Sequence, residues 1–189
     1  MRNEKLLLTA FEPFGGEAAN ASLLVLQQLP NRIGPWEITK AVLPVVFGRT
    51  GEEAAALTDR LRPDAVICLG QAAGRKQVTP ELVAINLQYA RIPDSAGNTP
   101  MDLPVVPGGA DARFATLPVR EMAKRMQDGG FPAAVSYSAG AYVCNDLFYR
   151  MLTHLEGRGI GMDFIHVPGT EDLDPQIAAE AIRYLLQTL

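Results

Sequence analysis

Cysteine, histidine and tryptophan are all scarce in this chain, at two, two and one among 189 residues. Two cysteines cannot build the disulfide framework of a small secreted scaffold. The cysteines at 68 and 144 and the histidines at 154 and 166 fit no zinc-ligand spacing, so no metal is expected. A surplus of positive charge is missing too. Lys and Arg number 17 against 21 Asp and Glu, a net charge of -4, and no basic run occurs. That balance excludes nucleic acid and anionic membrane as principal partners. No apolar run approaches the roughly 20 residues of a membrane-spanning helix. The N-terminal run, residues 6–10, is too short for a secretory signal core. The expected location is the cytoplasm, where a reducing environment keeps a reactive thiol usable.

What is present is an alternation. Short apolar runs at residues 6–11, 38–46, 65–69, 82–87, 133–137 and 164–167 predict strands. Between them, residues 22–29, 51–61, 112–127, 142–155 and 175–186 predict helices. Pro118 predicts a kink or a late start in the third helix. Asp174 and Pro175 predict the cap and first turn of the last. No repeat, linker or low-complexity tract divides the chain, so residues 1–189 read as one domain. The expected fold is α/β, a three-layer sandwich whose twisted, mostly parallel but mixed sheet carries helices on both faces. In such folds ligands sit beyond the carboxyl ends of the strands, where Phe11, Gln71, Cys144 and His166 fall.

Cys68 lies inside an apolar run and reads as core, the commonest role of a free cysteine. Cys144 differs. Small residues and Gly140 lead into it, and it falls in the first turn of a predicted helix, where the dipole favours a thiolate. His166, at a strand end, is the candidate base, whereas His154 lies within a helix beside polar residues. An acidic or amide side chain normally orients the base, and Glu81 and Asp94 are both candidates that spacing cannot separate. Phe11 and Phe14, in Phe11-Glu12-Pro13-Phe14-Gly15-Gly16, could wall a flat apolar ring. Gly15 and Gly16 lack the lysine and hydroxyl of a phosphate loop, and residues 70–74 hold only half of a dinucleotide fingerprint, so no cofactor is expected.

Taken together, several segments resemble the pyroglutamyl-peptidase I family of cysteine peptidases over nearly the whole chain. They are residues 9–16, 81–86, 90–94 with Gly97 and Asn98, 116–118, 138–145 and 164–168. The resemblance implies a catalytic triad of Glu81, Cys144 and His166, and so prefers Glu81 to Asp94. It also implies substrate-pocket roles near Phe11, Phe14, Gln71 and Val143, with Arg91 a candidate donor beside the reacting carbonyl. The implied reaction removes an N-terminal pyroglutamyl (5-oxoprolyl) residue from peptides through a thioacyl-enzyme, and the implied assembly is a homo-oligomer, dimer or tetramer. The chain departs from the family pattern at Ala10, Ala21 and Gly169 and in a short stretch from 170 to 176, none of which touches the triad. Two other readings are a phosphorylase-like enzyme of the same architecture and a non-catalytic binder of N-terminally blocked peptides.

Overall fold

A computed structural model describes residues 4–189. The chain runs β1 (Glu4–Phe11), α1 (Ala21–Gln28), β2 (Arg32–Ile33), β3 (Trp36–Leu43), α2 (Arg49–Leu61) and β4 (Ala65–Ala72). It continues β5 (Thr79–Pro80), β6 (Val83–Ile85), β7 (Ala112–Phe114), α3 (Val119–Asp128), α4 (Val143–His154), β8 (Gly161–Pro168) and α5 (Pro175–Thr188). Six strands make one sheet in the order β2-β3-β1-β4-β8-β5. The inner four are parallel, and the two short edge strands are antiparallel to their neighbours.

The inner strands are apolar because both of their faces are covered. On one face, Leu6 and Leu8 of β1, Ile67 of β4 and Ile165 of β8 pack with side chains of α1, α3 and α5. On the other, Leu7, Cys68 and Phe164 pack with Val143, Leu147, Phe148 and Met151 of α4 and Ala54 of α2. This is the expected mixed sandwich. Among the described residues no helix is long and apolar enough to cross a membrane.

Three predicted elements take a different form. Residues 112–114 form β7, and the helix starts late, with Pro118 as its N-cap. Proline has no N–H to give to an earlier turn, so the first turn begins after it. The strand expected at 82–87 shrinks to β6, which pairs with β7 in a separate two-stranded sheet. Residues 133–137 form no regular strand, yet they run parallel to residues 78–82. Ala134 and Ser136 donate to Val78 O and Pro80 O, and Leu82 donates to Ser136 O. Asp174 caps α5 as expected, its carboxylate accepting from Gln176 N–H at 2.8 Å.

Candidate active site

Strand register assembles the site. Along β8, His166 is flanked by Gly70 of β4 on one side and by Thr79 of β5 on the other. Glu81 follows β5 directly, and its N–H donates to Phe164 O at 2.8 Å. That bond brings its side chain to the imidazole, where Oε1 lies 2.7 Å from His166 Nδ1. Both groups are buried, Glu81 at 0% and His166 at 4% exposure.

Burial pushes the Glu81 carboxyl up, but the hydrogen bond and charge of His166, joined by Ser136 and then Arg75, outweigh it and hold the group below the usual carboxylate range. An ionised carboxylate can only accept, so Nδ1 carries the proton and Nε2 keeps its lone pair. Burial pulls His166 below its ordinary value, opposed by Glu81 and reinforced by the charge of Arg75. The imidazole is therefore neutral near pH 7 and able to receive a proton.

Cys144 is the second residue of α4, whose N-cap, Tyr142, makes no side-chain capping bond. Its sulfur lies over Gly70: a Cβ added there would stand 3.1 Å from Cys144 Sγ and 2.6 Å from Phe164 Cζ. Gly70, Cys68, Phe164 and His166 share one sheet face through the period-two alternation of parallel partners. Thiol and imidazole thus stand over adjacent strand ends, without a hydrogen bond between them among the described residues. The surroundings of the sulfur oppose the thiolate expected at a helix start. Burial pushes the Cys144 thiol up to about 12, with the charge of Glu81 adding and that of Arg75 opposing. That desolvation of a half-buried sulfur acts against the favourable dipole of the helix start.

A cavity of about 560 Å³ opens beside the sulfur, and Phe11, Phe14, Gln71, Arg91, Val143 and Cys144 all line it. Every expected pocket residue is therefore gathered there, while Glu81 and His166 lie behind its wall. Phe11 is buried, and its ring contacts that of Phe164 at 6.3 Å. Phe14 packs on Tyr142 at 5.8 Å, and Tyr142 meets Phe47 edge-on at 5.1 Å. Gln71 is already engaged: Oε1 accepts from Ala21 N–H at 2.7 Å and Nε2 donates to Glu17 at 3.0 Å. A proline at position 21 would lack that N–H. Arg91 is exposed at the cavity.

Asp94, the rival orienter, serves its own loop instead. It accepts from the backbone N–H groups of Phe47, Ala96 and Asn98 and from the Asn98 amide. Sequence reasoning did not find Arg75 or Tyr142. Arg75 donates to Glu81 Oε1 and Thr79 Oγ1, both at 2.6 Å, and to Ser138 O at 3.0 Å. Its signal was an arginine directly after Gly74, six residues before Glu81. Tyr142 stood within the glycine-led approach to Cys144, where an aromatic can wall the same cavity. Among the described residues no group of three His, Cys, Asp or Glu side chains could hold a metal ion.

Residues 4–181 match the family model described as pyroglutamyl peptidase. A pyrrolidone-carboxylate peptidase of Enterococcus faecalis is 48% identical over 166 residues, covering 87% of this chain and 78% of the relative. Another, of Escherichia fergusonii, is 41% identical and covers 97% of this chain and 89% of its own. The crystal structure of pyroglutamyl peptidase I from Bacillus amyloliquefaciens superposes with a TM-score of 0.93 at 37% identity, over 98% of this chain and 96% of that one. The sheet order, the buried Glu81–His166 pair, the thiol over Gly70 and the apolar cavity thus accompany likeness along nearly the full length, and the chain belongs to the pyroglutamyl peptidase family.

Proposed function

We propose that this chain, acting as one catalytic domain over residues 1–189, removes N-terminal pyroglutamyl residues from peptides by acyl transfer through Cys144. A pyroglutamyl ring is a flat lactam without an ammonium group, so it suits a cavity walled by Phe11, Phe14 and Tyr142. Bound there, its exocyclic carbonyl carbon lies within reach of the sulfur.

As Sγ bonds to that carbon, the thiol proton passes to His166 Nε2, and Glu81 stabilises the imidazolium that forms. The negative charge moves to the carbonyl oxygen. The Cys144 N–H, at the start of α4, is the natural donor to it, and Arg91 is the second candidate. The C–N bond then breaks, and His166 gives its proton to the departing amine. His166 next takes a proton from water as the hydroxide adds to the thioester. Pyroglutamate leaves and the proton returns to sulfur. Cys144 supplies the first nucleophile, water the second, and His166 carries each proton between them.

The observation that carries this reading is the 2.7 Å Glu81–His166 bond with Cys144 Sγ set over the adjacent Gly70. Hydrolysis of pyroglutamyl-aminomethylcoumarin tests it. Wild type and Cys68→Ser turn over, whereas Cys144→Ala and His166→Ala do not; full activity in Cys144→Ala overturns it. Strict dependence on phosphate would favour the phosphorylase-like reading, and binding without turnover the non-catalytic one. The proposed location is the cytoplasm, and a homo-oligomer, dimer or tetramer, is the proposed assembly, checked by light scattering.

A further inference from the structure

We infer that Arg75 is a positioning residue of this site: it holds Glu81 against His166 and ties that pair to the loop leading into Cys144. The inference rests on the triad reading above.

Arg75 stands in the turn between β4 and β5, directly after Gly74, whose φ of +84° suits glycine. The turn is anchored from outside, because the Asp172 carboxylate accepts from both Gly74 N–H and Lys76 Nζ. Its guanidinium is thereby presented to three acceptors on three segments: Glu81, Thr79 and the carbonyl of Ser138. Thr79 in turn reaches His166 O at 3.4 Å, and Ser138 precedes Cys144 by six residues. A planar fork with fixed donors suits such a junction, which the single ammonium of a lysine cannot reproduce.

Arg75 and His166 share one oxygen, Glu81 Oε1. Without the guanidinium, a fully buried carboxylate would retain only the imidazole as its charged partner. A proton on Glu81 would turn it from acceptor into donor toward Nδ1 and move the ring proton to Nε2, where the thiol proton must go. Arg75 opposes this by stabilising the anion. The same positive charge works against an imidazolium and in favour of a thiolate. The other ionisable groups bearing on the trio are Asp163 of β8, which faces the opposite side of the sheet, Cys68 of β4, and Tyr142 beside Cys144. None of the three carries positive charge.

The test compares Arg75→Met and Arg75→Lys with the wild type in three readouts: the pH profile of kcat/KM, the pH profile of Cys144 alkylation by iodoacetamide, and Tm. Arg75→Met should lose roughly 10- to 100-fold in kcat, the scale of a hydrogen bond to a charged group, with KM little changed. Its acid limb should move to higher pH because His166 and Glu81 both hold protons more tightly, and its alkylation profile should move up with it. Arg75→Lys keeps the charge, so its limb should stay near wild type while its kcat falls between the two. A lower Tm or kcat in Arg75→Met with both pH profiles unmoved would reduce Arg75 to a structural tie and overturn the inference. If Arg75→Met does not fold, Arg75→Gln, which keeps a donor but no charge, gives the same two profiles. Activity surviving in Cys144→Ala would sink the triad itself, whereas an inactive Cys144→Ala beside unmoved Arg75→Met profiles sinks only this inference.

Discussion

Gly70→Ala tests how tightly the sulfur is seated. Gly70 lies in β4 with an ordinary strand backbone, so alanine meets no conformational strain there. The new methyl instead meets Phe164 Cζ at 2.6 Å, Phe164 Cε1 at 2.8 Å and Cys144 Sγ at 3.1 Å. Carbon atoms settle at about 3.5–4.0 Å, so the ring must move by roughly 1 Å. It has little room, being fully buried between Phe11 and Phe148 with its centroid 4.8 Å from that of His166. Overpacking of this kind costs about 1–3 kcal/mol, which lowers Tm by roughly 2–12 °C in a chain of this size. The displaced atoms are the proposed nucleophile and the ring beside the proposed base, and a 1 Å misplacement costs on the order of 100-fold in rate. Thermal melts followed by circular dichroism and steady-state kinetics on pyroglutamyl-aminomethylcoumarin at 25 °C, where the variant remains folded, read the two effects separately. A variant with wild-type Tm and wild-type kcat would refute the seating of Sγ over Gly70.

Other perturbations read other parts of the account. Glu81→Gln should lower kcat by roughly 10²–10⁴-fold, the range of general acid–base catalysis, because an uncharged amide does not stabilise the imidazolium and can turn its N–H toward Nδ1, favouring the wrong tautomer; kinetics within twofold of wild type would contradict it. Since His166 must be neutral to accept a proton and burial holds it below its ordinary 6.5, the acid limb of kcat/KM should fall below that pH. Asn145→Ala removes two bonds to Ile85 and Leu87 carbonyls and one from Ile85 N–H, so a loss of about 2–3 kcal/mol in urea unfolding is expected. Asp163 is fully buried with no side-chain or charged partner, and burial, opposed by the Phe164 N–H and reinforced by Glu81, raises its carboxyl well above the usual range. Its folded form therefore favours the proton, and stability is lost as pH rises from about 4, the unfolded value, toward the folded one. Asp163→Asn should be the more stable protein at pH 7–8 by roughly 1–3 kcal/mol, with the gap closing as pH falls toward 4; a gap independent of pH would contradict this.

Much of the fold was legible because the inner strands are buried on both faces and write themselves as unbroken apolar runs, as residues 65–69 do. The edge was harder to read. Residues 133–136 and 78–82 pair over so few residues that neither carries a long pattern, and β6 and β7 stabilise each other across a separation of about 27 residues that no local period reveals. In the site, the positions of Cys144 and His166 at strand and helix ends could be read directly. The choice between Glu81 and Asp94 could not, since it depends on Glu81 N–H meeting Phe164 O across β8. The balance acting on the Cys144 proton is hidden for a related reason: helix position is visible in a sequence, but burial of the sulfur is a property of packing. Arg75 was invisible because its three acceptors come together only when the β4–β5 turn closes.

The central claim is that Cys144, served by His166 and Glu81, forms the thioester. Rapid acid quenching of wild type and Glu81→Gln during turnover of a pyroglutamyl ester, followed by intact-mass measurement and peptide mapping, tests it most directly. The account predicts one pyroglutamyl group, removable by hydroxylamine, on the peptide that contains Cys144, and none on the peptide that contains Cys68. Acylation of any other residue, or full turnover by Cys144→Ala with no acyl-enzyme at all, would contradict it.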